Sequence, residues 1–450
     1  MLWLSILCMM AANSCKMSET TDQMIRIMTL DPGHFHAALV QKKMYEQVSP
    51  EVHVFAPEGD DVRLHLKRIE GFNTRAEEPT SWKEIVYTGE DFFEKMIKEK
   101  PGNVVMISGN NQKKTEYILT SVQNGLNVLA DKPMVITPDE FDMLKEAFRV
   151  AEQNGVLLYD VMTERFEITT LLQKELSRIP DVFGALEKGT LEDPAITKES
   201  VHHFFKYVSG NPLIRPAWFF DTEQQGEGIV DVSTHLVDLV QWECFPEEII
   251  DYENEVEILE AKRWATVFDL EMFASVTGLD AFPEYLEKDI VDGKLHAFSN
   301  GAFTYTIRGV HARVSVIWNY KAPEGTGDTH YSIMRGSKAN LVIRQGEAES
   351  FVPTLYIEAV SGADIAEAAG TAVNQSLQQK YSGISLVPVS EGIWKVDIPD
   401  RYRIGHEAHF GQVTDRYLEY LEKGKLPDWE VPNMIAKYYT TTAALTKALQ

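Results

Sequence analysis

Hydrophobic runs of strand length alternate with helix-like segments along the first third of the chain. The runs that predict strands are 24–30, 51–56, 104–107, 127–130 and 156–161. Between them, residues at helical spacing predict helices over 34–47, 114–124 and 137–155. Strands that alternate with helices indicate a mostly parallel sheet covered on both faces. The pattern therefore predicts an α/β domain of the Rossmann type over residues 24–162.

From about Thr163 the pattern changes to alternating polar and apolar residues with short connections. The strands predicted there are 303–307, 313–318, 331–334, 339–343 and 354–360, and helices over 406–421 and 433–449 close the chain. Short connections favour antiparallel pairing. Residues 163–450 are therefore predicted to form an α+β domain with a large, mainly antiparallel sheet for substrate binding and oligomerisation, and a homo-oligomer is one expected assembly.

The first fourteen residues, MLWLSILCMMAANS, carry no charge and are mainly apolar. They resemble the apolar part of a signal peptide, and the small residues that lead to Cys15 resemble a bacterial lipobox. We expect residues 1–23 to be a lipoprotein signal peptide and tether. Cys15 would then carry acyl chains and hold the protein on the extracytoplasmic side of a membrane. The alternative is a buried first helix.

Composition narrows the classes of partner. The formal net charge of −25 argues against nucleic acid as a partner, because polyphosphate binding needs a basic face. A hydrophobic content of 44% is enough for a buried core in each half. The three cysteines, Cys8, Cys15 and Cys244, provide neither a disulfide framework nor a zinc-type cysteine cluster.

The loop after the first predicted strand is the expected phosphate site of a Rossmann domain. It lacks the fingerprint G-x-G-x-x-G: with Gly33 in the middle position, Asp31 and His36 replace the outer two glycines. Gly33 still allows a close approach of backbone to a pyrophosphate at the helix start. His34 and His36 together with Asp31 would also suit a metal, but contact with a cofactor or a role as a helix cap is preferred, and no metal site is expected.

A lysine, an aspartate and a histidine carry the candidate chemistry. Asp231 and His235 are four residues apart and would share one face of a helix, where a carboxylate fixes the tautomer of an imidazole and raises its basicity. His235 would then accept the proton of a substrate hydroxyl. Lys132 follows a strand, so its cation would stabilise a developing alkoxide, and Pro133 fixes the backbone after it. The plainer alternatives are a helix cap, a core histidine and a surface lysine.

Several further residues have weaker interpretations. Asp238, one turn after His235, either orients that histidine or faces solvent. His202 and His203 lie in a strand-like run, so only one of the two would reach a site. Tyr207 and Trp218 are able to stack on a sugar ring but are more often core residues, and His406 and His409 have no assigned role.

Three stretches in the chain, with its closing helices, resemble one family. They are Ser108-Gly109-Asn110, the segment NVLADKP at 127–133, and GEGIVDVSTHLVD at 226–238. In this order they are similar to the strand-end turn, the Glu-Lys-Pro strand end and the Asp…His helix of the glucose–fructose oxidoreductase / inositol dehydrogenase / MocA family. The resemblance covers nearly the whole chain after Met24, and the degraded glycine loop is its main departure.

The resemblance implies a nicotinamide dinucleotide, NAD or NADP, held tightly by Gly33, His34, Asn110, Lys132 and Pro133. It assigns catalysis to Lys132, Asp231 and His235, with hydride passing between the nicotinamide and a carbinol carbon of a sugar, cyclitol or glycoside. Two alternatives stay open. One is glycoside cleavage through transient oxidation, and the other is a carbohydrate-binding lipoprotein without catalysis. Neither the substrate, the redox direction nor the choice between NAD and NADP follows from the sequence.

Overall fold

A computed structural model describes residues 24–208, 211–324 and 326–450. The predicted signal peptide, tether and Cys15 lie outside these residues. The first half is built on a sheet of six strands in the order β3-β2-β1-β4-β5-β6, all of whose neighbours are parallel. The strands are β1 (Ile27–Leu30), β2 (Glu51–Ala56), β3 (Lys83–Thr88), β4 (Val104–Ile107), β5 (Asn127–Asp131) and β6 (Leu158–Val161). This order is that of a Rossmann domain, and it confirms the predicted fold class.

Five helices belong to this half. They are α1 (His36–Leu39), α2 (Asp60–Thr74), α3 (Phe92–Glu99), α4 (Lys114–Gln123) and α5 (Phe141–Asn154). The strands predicted from apolar runs are all present, because strands buried on both faces read as continuous apolar segments. Between residues 57 and 103 the hydrophobic pattern predicts no element, but the structure has α2, β3 and α3 there.

The helix predicted over 34–47 is wrong in length, since α1 covers only His36–Leu39. Side chains from elsewhere take the carbonyl groups that a longer helix would use. The Trp82 indole N–H donates to the Gln41 carbonyl oxygen at 2.6 Å, and the Arg75 guanidinium donates to the Lys42 carbonyl oxygen at 2.7 Å. These tertiary bonds override the local helical spacing of the segment.

A ten-stranded sheet forms the second half, in the order β10-β12-β13-β7-β14-β15-β16-β18-β17 with β11 beside β12. Its strands are β7 (Ile196–Phe205), β10 (Val256–Phe268), β11 (Ile290–Val291), β12 (Lys294–Ile307), β13 (Val310–Lys321), β14 (Thr329–Arg335), β15 (Ala339–Arg344), β16 (Thr354–Ala359), β17 (Ser385–Ser390) and β18 (Ile393–Asp397). A separate short pair is β8 (Tyr207–Val208) with β9 (Asn211–Pro212). Only β13 and β7 pair in parallel among the strands of the large sheet in the described ranges, so the predicted antiparallel character is confirmed.

The helices of this half are α6 (Ile168–Ser177), α7 (Thr222–Gln225), α8 (Ser233–Cys244), α9 (Tyr252–Glu255), α10 (Leu270–Thr277), α11 (Ala366–Thr371), α12 (His406–Lys423) and α13 (Glu430–Ala448). Among these and the other helices of the described ranges, none combines the length and apolar character needed to cross a bilayer.

The two closing helices return to the first sheet. Phe410 and Tyr417 from α12 and Tyr438 from α13 are almost fully buried in one core with Val128 and Tyr159 of the first sheet. The other side of α13 packs against α8 and β10 of the second half. The two halves are therefore joined through α13, and the division at residues 162 and 163 stays a prediction.

Candidate active site

The candidate site lies at the carboxyl edge of the first sheet, where the loops after β1, β4 and β5 meet. The His34 backbone N–H donates to the Ser108 carbonyl oxygen at 3.1 Å, which joins the first two loops. A Cβ atom on Gly109 would lie 2.0 Å from the Asp31 carbonyl oxygen. Only glycine allows the loops to approach this closely, so Gly109 sets the shape of the edge.

The loop after β1 is compact and partly covered. Asp31 has a φ of 47°, in the left-handed region, and the Gly33 backbone N–H donates to the Asp31 carbonyl oxygen at 2.9 Å. Asp61 and Trp218 lie over Gly33, at 2.9 and 3.1 Å from the position of a Cβ atom, and bond to each other at 2.9 Å. Burial, with a smaller contribution from Asp61, raises the pKa of Asp31 to about 6.

This covering bears on the cofactor role predicted for Gly33 and His34. The backbone N–H groups of Gly33 and His34 already have acceptors within the protein, and the open side of Gly33 faces a carboxylate and an indole. A pyrophosphate therefore finds no free backbone donor at these two positions. Asp61 was not a candidate from the sequence, and Trp218 was considered only as a sugar-stacking or core residue, because neither is close to Gly33 along the chain.

Lys132 and Asp231 form an ion pair between the two halves. Lys132 Nζ lies 2.6 Å from Asp231 Oδ1, and the two side chains are only 12% and 7% exposed. The Gln225 amide donates to the other oxygen of Asp231 at 3.1 Å. Lys132 is followed by a buried Pro133 through a cis peptide bond. Lys132 is thus fixed at the strand end by a mostly buried ion pair, and the interpretation as a free surface charge is wrong.

The predicted pairing of Asp231 with His235 differs in the structure. Asp231 lies in the turn before α8 rather than on the helix, and its oxygens are bound by Lys132 and Gln225. His235 lies on α8, and in the described ranges its Nδ1 atom is buried without a hydrogen-bond partner. Burial, and then the charges of Lys132 and His406, hold the pKa of His235 well below its usual value. The imidazole is therefore neutral near pH 7 and able to accept a proton.

Asp238 neither orients His235 nor faces solvent, so both expectations for it are wrong. It is 2% exposed and accepts two bonds of 2.7 Å from Arg165 and one of 2.9 Å from Lys437. Burial alone would raise its pKa, but the two cations hold the pKa below its usual value. Asp238 is a member of a buried ion-pair network under the site.

A histidine cluster adjoins Lys132. Asp131 Oδ2 lies 2.9 Å from His36 Nδ1 and 3.6 Å from His34 Nδ1, and it accepts a bond of 2.9 Å from the Ser108 hydroxyl. The ring of His406 lies 5.0 Å from that of His36, between centroids, which places this residue beside the cluster. Asp131 was not a candidate from the sequence, where His34 and His36 were considered with Asp31 instead.

The remaining candidates occupy other positions. The Asn110 amide donates to the Gln224 side-chain oxygen at 2.7 Å, so it already bridges the two halves. His202 and His203 both contact Asp328, at 3.2 and 3.3 Å, which corrects the expectation that only one of them reaches a given site. Tyr207 is 62% exposed, so the interpretation of Tyr207 as a core residue is wrong.

A Rossmann domain joined to a large antiparallel sheet, with a lysine at a strand end paired to an acid of the second half, defines a class of two-domain dinucleotide-dependent oxidoreductases. The family model "Oxidoreductase family, NAD-binding Rossmann fold" matches residues 65–160, and "Putative oxidoreductase C terminal domain" matches residues 172–449. A solved structure of a putative oxidoreductase from Parabacteroides merdae is 58% identical, with 95% of this chain and 98% of that chain covered and a TM-score of 0.93. The chain belongs to the Gfo/Idh/MocA oxidoreductases, the resemblance that its motifs predicted, and is an NAD(P)-dependent oxidoreductase.

More distant structures share the fold alone. A levoglucosan dehydrogenase in complex with NADH and L-sorbose is 11% identical, with 94% of this chain and 97% of that chain covered and a TM-score of 0.60. A putative myo-inositol dehydrogenase from Sinorhizobium meliloti is also 11% identical over 94% and 97% of the two chains, with a TM-score of 0.55. No curated protein matches this chain.

The residues at the carboxyl edge of the first sheet suit the nicotinamide end of the dinucleotide that this family binds. Lys132 and Pro133 directly follow β5 there. Among the described residues, none bonds to the buried His235 Nδ1, so the protein does not engage the imidazole through that nitrogen. His34, Asn110, Lys132 and Pro133 would hold the dinucleotide, whereas the covered Gly33 would contribute little. The Rossmann-family match begins at residue 65, after the glycine loop, where this chain departs from the family pattern.

Proposed function

We propose that this protein transfers hydride between NAD or NADP and a carbinol carbon of a sugar, cyclitol or glycoside. The observation that carries the proposal is the group formed by Lys132, Asp231 and His235 at the carboxyl edge of the Rossmann sheet. The distant neighbours named for levoglucosan and myo-inositol dehydrogenation support a polyhydroxylated substrate.

When bound, the dinucleotide supplies the hydride acceptor or donor, and the residues of the chain manage the proton and the oxygen. His235 is neutral, and because Nδ1 is enclosed in protein, Nε2 is the nitrogen that a substrate hydroxyl can reach. Lys132 stabilises negative charge on the substrate oxygen as its proton leaves. Asp231 does not touch His235 and acts as a positioning residue, since it holds the lysine ammonium at 2.6 Å.

The first experiment tests for the cofactor. The purified protein is denatured, and the supernatant is examined for a nicotinamide dinucleotide by absorbance and mass. A released dinucleotide supports the tight binding that the family resemblance implies. The absence of any release, together with no binding of NAD(H) or NADP(H) by calorimetry, would favour the non-catalytic carbohydrate-binding alternative instead.

The second experiment tests the base. His235→Ala is expected to lower turnover by about 10²–10⁴-fold, the usual contribution of a general base, without loss of dinucleotide. His311→Ala is the matched control, since this histidine lies on β13 and its Nδ1 contacts the Lys188 carbonyl oxygen. Near-normal turnover of His235→Ala on a verified alcohol would contradict the role. Product analysis separates the alternatives, because a ketone indicates simple oxidation and a released aglycone indicates glycoside cleavage.

We further propose that the mature protein begins at an acylated Cys15 and resides on the extracytoplasmic side of a bacterial membrane. The support is the apolar segment, the small residues before Cys15 and the polar residues after it. The protein made with its native N-terminus should partition into detergent, and Cys15→Ser should release it or leave the signal uncut. An unmodified Met1 in the native protein, found by mass spectrometry, would overturn this proposal.

A further inference from the structure

We propose that His34, His36 and Asp131 form a binding site for a divalent transition-metal ion at the carboxyl edge of the Rossmann sheet. This site was not expected from the sequence, where His34 and His36 were considered with Asp31. The structure replaces Asp31 by Asp131, from the end of β5, a residue distant in the chain. The inference goes beyond the proposed dehydrogenase function, and its test requires neither turnover nor bound dinucleotide.

The distances suit direct coordination. One ligand atom from each of the three residues lies within 4.8 Å of the others. His36 Nδ1 and His34 Nδ1 are 2.9 and 3.6 Å from Asp131 Oδ2. Zinc binds imidazole nitrogen and carboxylate oxygen at about 2.0–2.2 Å, so ligand atoms of a tetrahedral site lie roughly 3.2–3.6 Å apart. The Nδ1 atoms of His34 and His36 therefore both lie beside the Asp131 carboxylate, and side-chain rotations that bring the three ligand atoms to this spacing would enclose an ion.

A second observation concerns the carboxylate itself. Asp131 is 3% exposed, and its Oδ1 atom is buried without a hydrogen-bond partner in the described part of the chain. A buried carboxylate costs free energy unless its oxygens are paired. The nearby Lys114 ammonium donates to the Asp131 backbone carbonyl oxygen at 3.0 Å, not to the carboxylate. His36 and Ser108 bond to Oδ2, so Oδ1 is the oxygen of Asp131 that remains available to a cation.

The surrounding groups are those of a supported metal site. Ser108 donates its hydroxyl to Asp131 Oδ2 at 2.9 Å and orients the carboxylate. His34 Nδ1 accepts only a long bond of 3.4 Å from the His36 backbone N–H, which an ion would displace. The His406 ring, 5.0 Å from that of His36, lies close enough to supply a further imidazole after a side-chain movement.

Two imidazoles and one carboxylate are the ligand type of open metal sites, which retain a position for water or substrate. Lys132 directly follows Asp131, so an ion here would adjoin the lysine that we place at the reacting oxygen. The ligand class is therefore a borderline divalent ion such as zinc or ferrous iron, bound at the edge where substrate oxygens arrive.

The test uses the full mature chain without a histidine tag. Its metal content is measured by mass spectrometry as purified, and zinc is titrated into chelator-treated protein by calorimetry. We expect about one ion per chain. His36→Ala should lose at least tenfold in zinc affinity, and Ser108→Ala should lose roughly 10–100-fold, as for other outer partners of metal ligands. His53→Ala is the control, since His53 is a histidine of β2 outside the cluster.

Folding is verified independently by thermal unfolding of every variant in chelator. Because His36 is buried, His34→Gln, at a partly exposed position, is the second ligand variant and should also weaken zinc binding. Zinc should raise the melting temperature of the wild-type chain and of His53→Ala, but not that of the ligand variants. No stoichiometric ion and no zinc-dependent stabilisation in the wild-type chain would overturn the proposal, as would equal zinc affinity in His36→Ala. None of these measurements depends on activity or on the dinucleotide.

Discussion

Removal of the Lys437 ammonium should be one of the most damaging single changes in this fold. Lys437 lies on α13 with a fully buried side chain, and its Nζ atom is 2.7 Å from Asp160 Oδ2 and 2.9 Å from Asp238 Oδ1. Asp238 keeps its two bonds from Arg165 when the lysine is lost. Among the described residues, Asp160 keeps only the bond of 2.8 Å from the Tyr438 hydroxyl, so its carboxylate is left without a compensating cation.

The expected magnitude follows from this arrangement. Loss of one partner of a buried ion pair typically costs about 3–5 kcal/mol, because the other charge remains buried. Lys437→Met keeps most of the apolar volume, so we expect a loss of this size in the free energy of unfolding. The matched control is Lys43→Met. Lys43 pairs with Asp415 at the same distance of 2.7 Å, but both side chains are about half exposed, and such pairs contribute about 0–1 kcal/mol.

Urea unfolding, followed by far-UV circular dichroism and by tryptophan fluorescence, measures the midpoint and slope for each variant. A double variant, Lys437→Met with Asp160→Asn, separates charge from packing. If the cost is the orphaned carboxylate, the neutral amide should restore part of the lost stability. A midpoint for Lys437→Met equal to that of Lys43→Met, or a double variant no more stable than Lys437→Met, would refute the reasoning.

Two further predictions concern a titration and a close contact. Burial raises the pKa of Glu84 to about 7 from 4.5; the folded state therefore holds a proton that the unfolded state releases, and stability should fall as pH rises from 4.5 to 7. Glu84→Gln should remove this fall and raise the free energy of unfolding by up to about 3 kcal/mol above pH 7. Urea midpoints at pH 5, 6, 7 and 8 measure the effect, and parallel pH curves for the wild-type protein and the variant would exclude a role of Glu84. Gly109→Ala should cost about 1–3 kcal/mol, because its Cβ atom would lie 2.0 Å from the Asp31 carbonyl oxygen. Gly71 lies in α2, and a Cβ atom at that position would have no neighbouring atom within 4 Å, so Gly71→Ala should be neutral or stabilising. Equal unfolding midpoints for the two alanine variants would contradict the contact argument.

The sequence predicted most of the first sheet, because its central strands are buried on both faces and read as unbroken apolar runs. It missed β3, an edge strand in which even Ile85 and Val86 are exposed. It also missed β10, in which every residue between the buried ends Val256 and Phe268 is exposed or half-buried. The length of α1 was not predictable, since Trp82 and Arg75 shorten it from distant parts of the chain.

In the candidate site, Lys132, Asp231 and His235 were predicted from their positions relative to strand ends and helices and from the family resemblance. Neither signal identified how these residues are paired. The sequence spacing placed Asp231 beside His235, but the helix begins after Asp231 and Lys132 takes the carboxylate. Contacts such as that of Asp61 with Trp218 join residues 157 positions apart, and no local pattern indicates them.

The return of the closing helices to the first sheet also sets the order in which the chain matures during translation. Domains usually fold in the order of synthesis, with the N-terminal domain first. Here the core of the first sheet includes Phe410, Tyr417 and Tyr438, which are synthesised long after the six strands of that sheet. A nascent chain that has completed all six strands of that sheet therefore still exposes the apolar surface which α12 and α13 will cover. The Rossmann half is made before the second half and is finished after most of it, because its native core needs residues beyond 400.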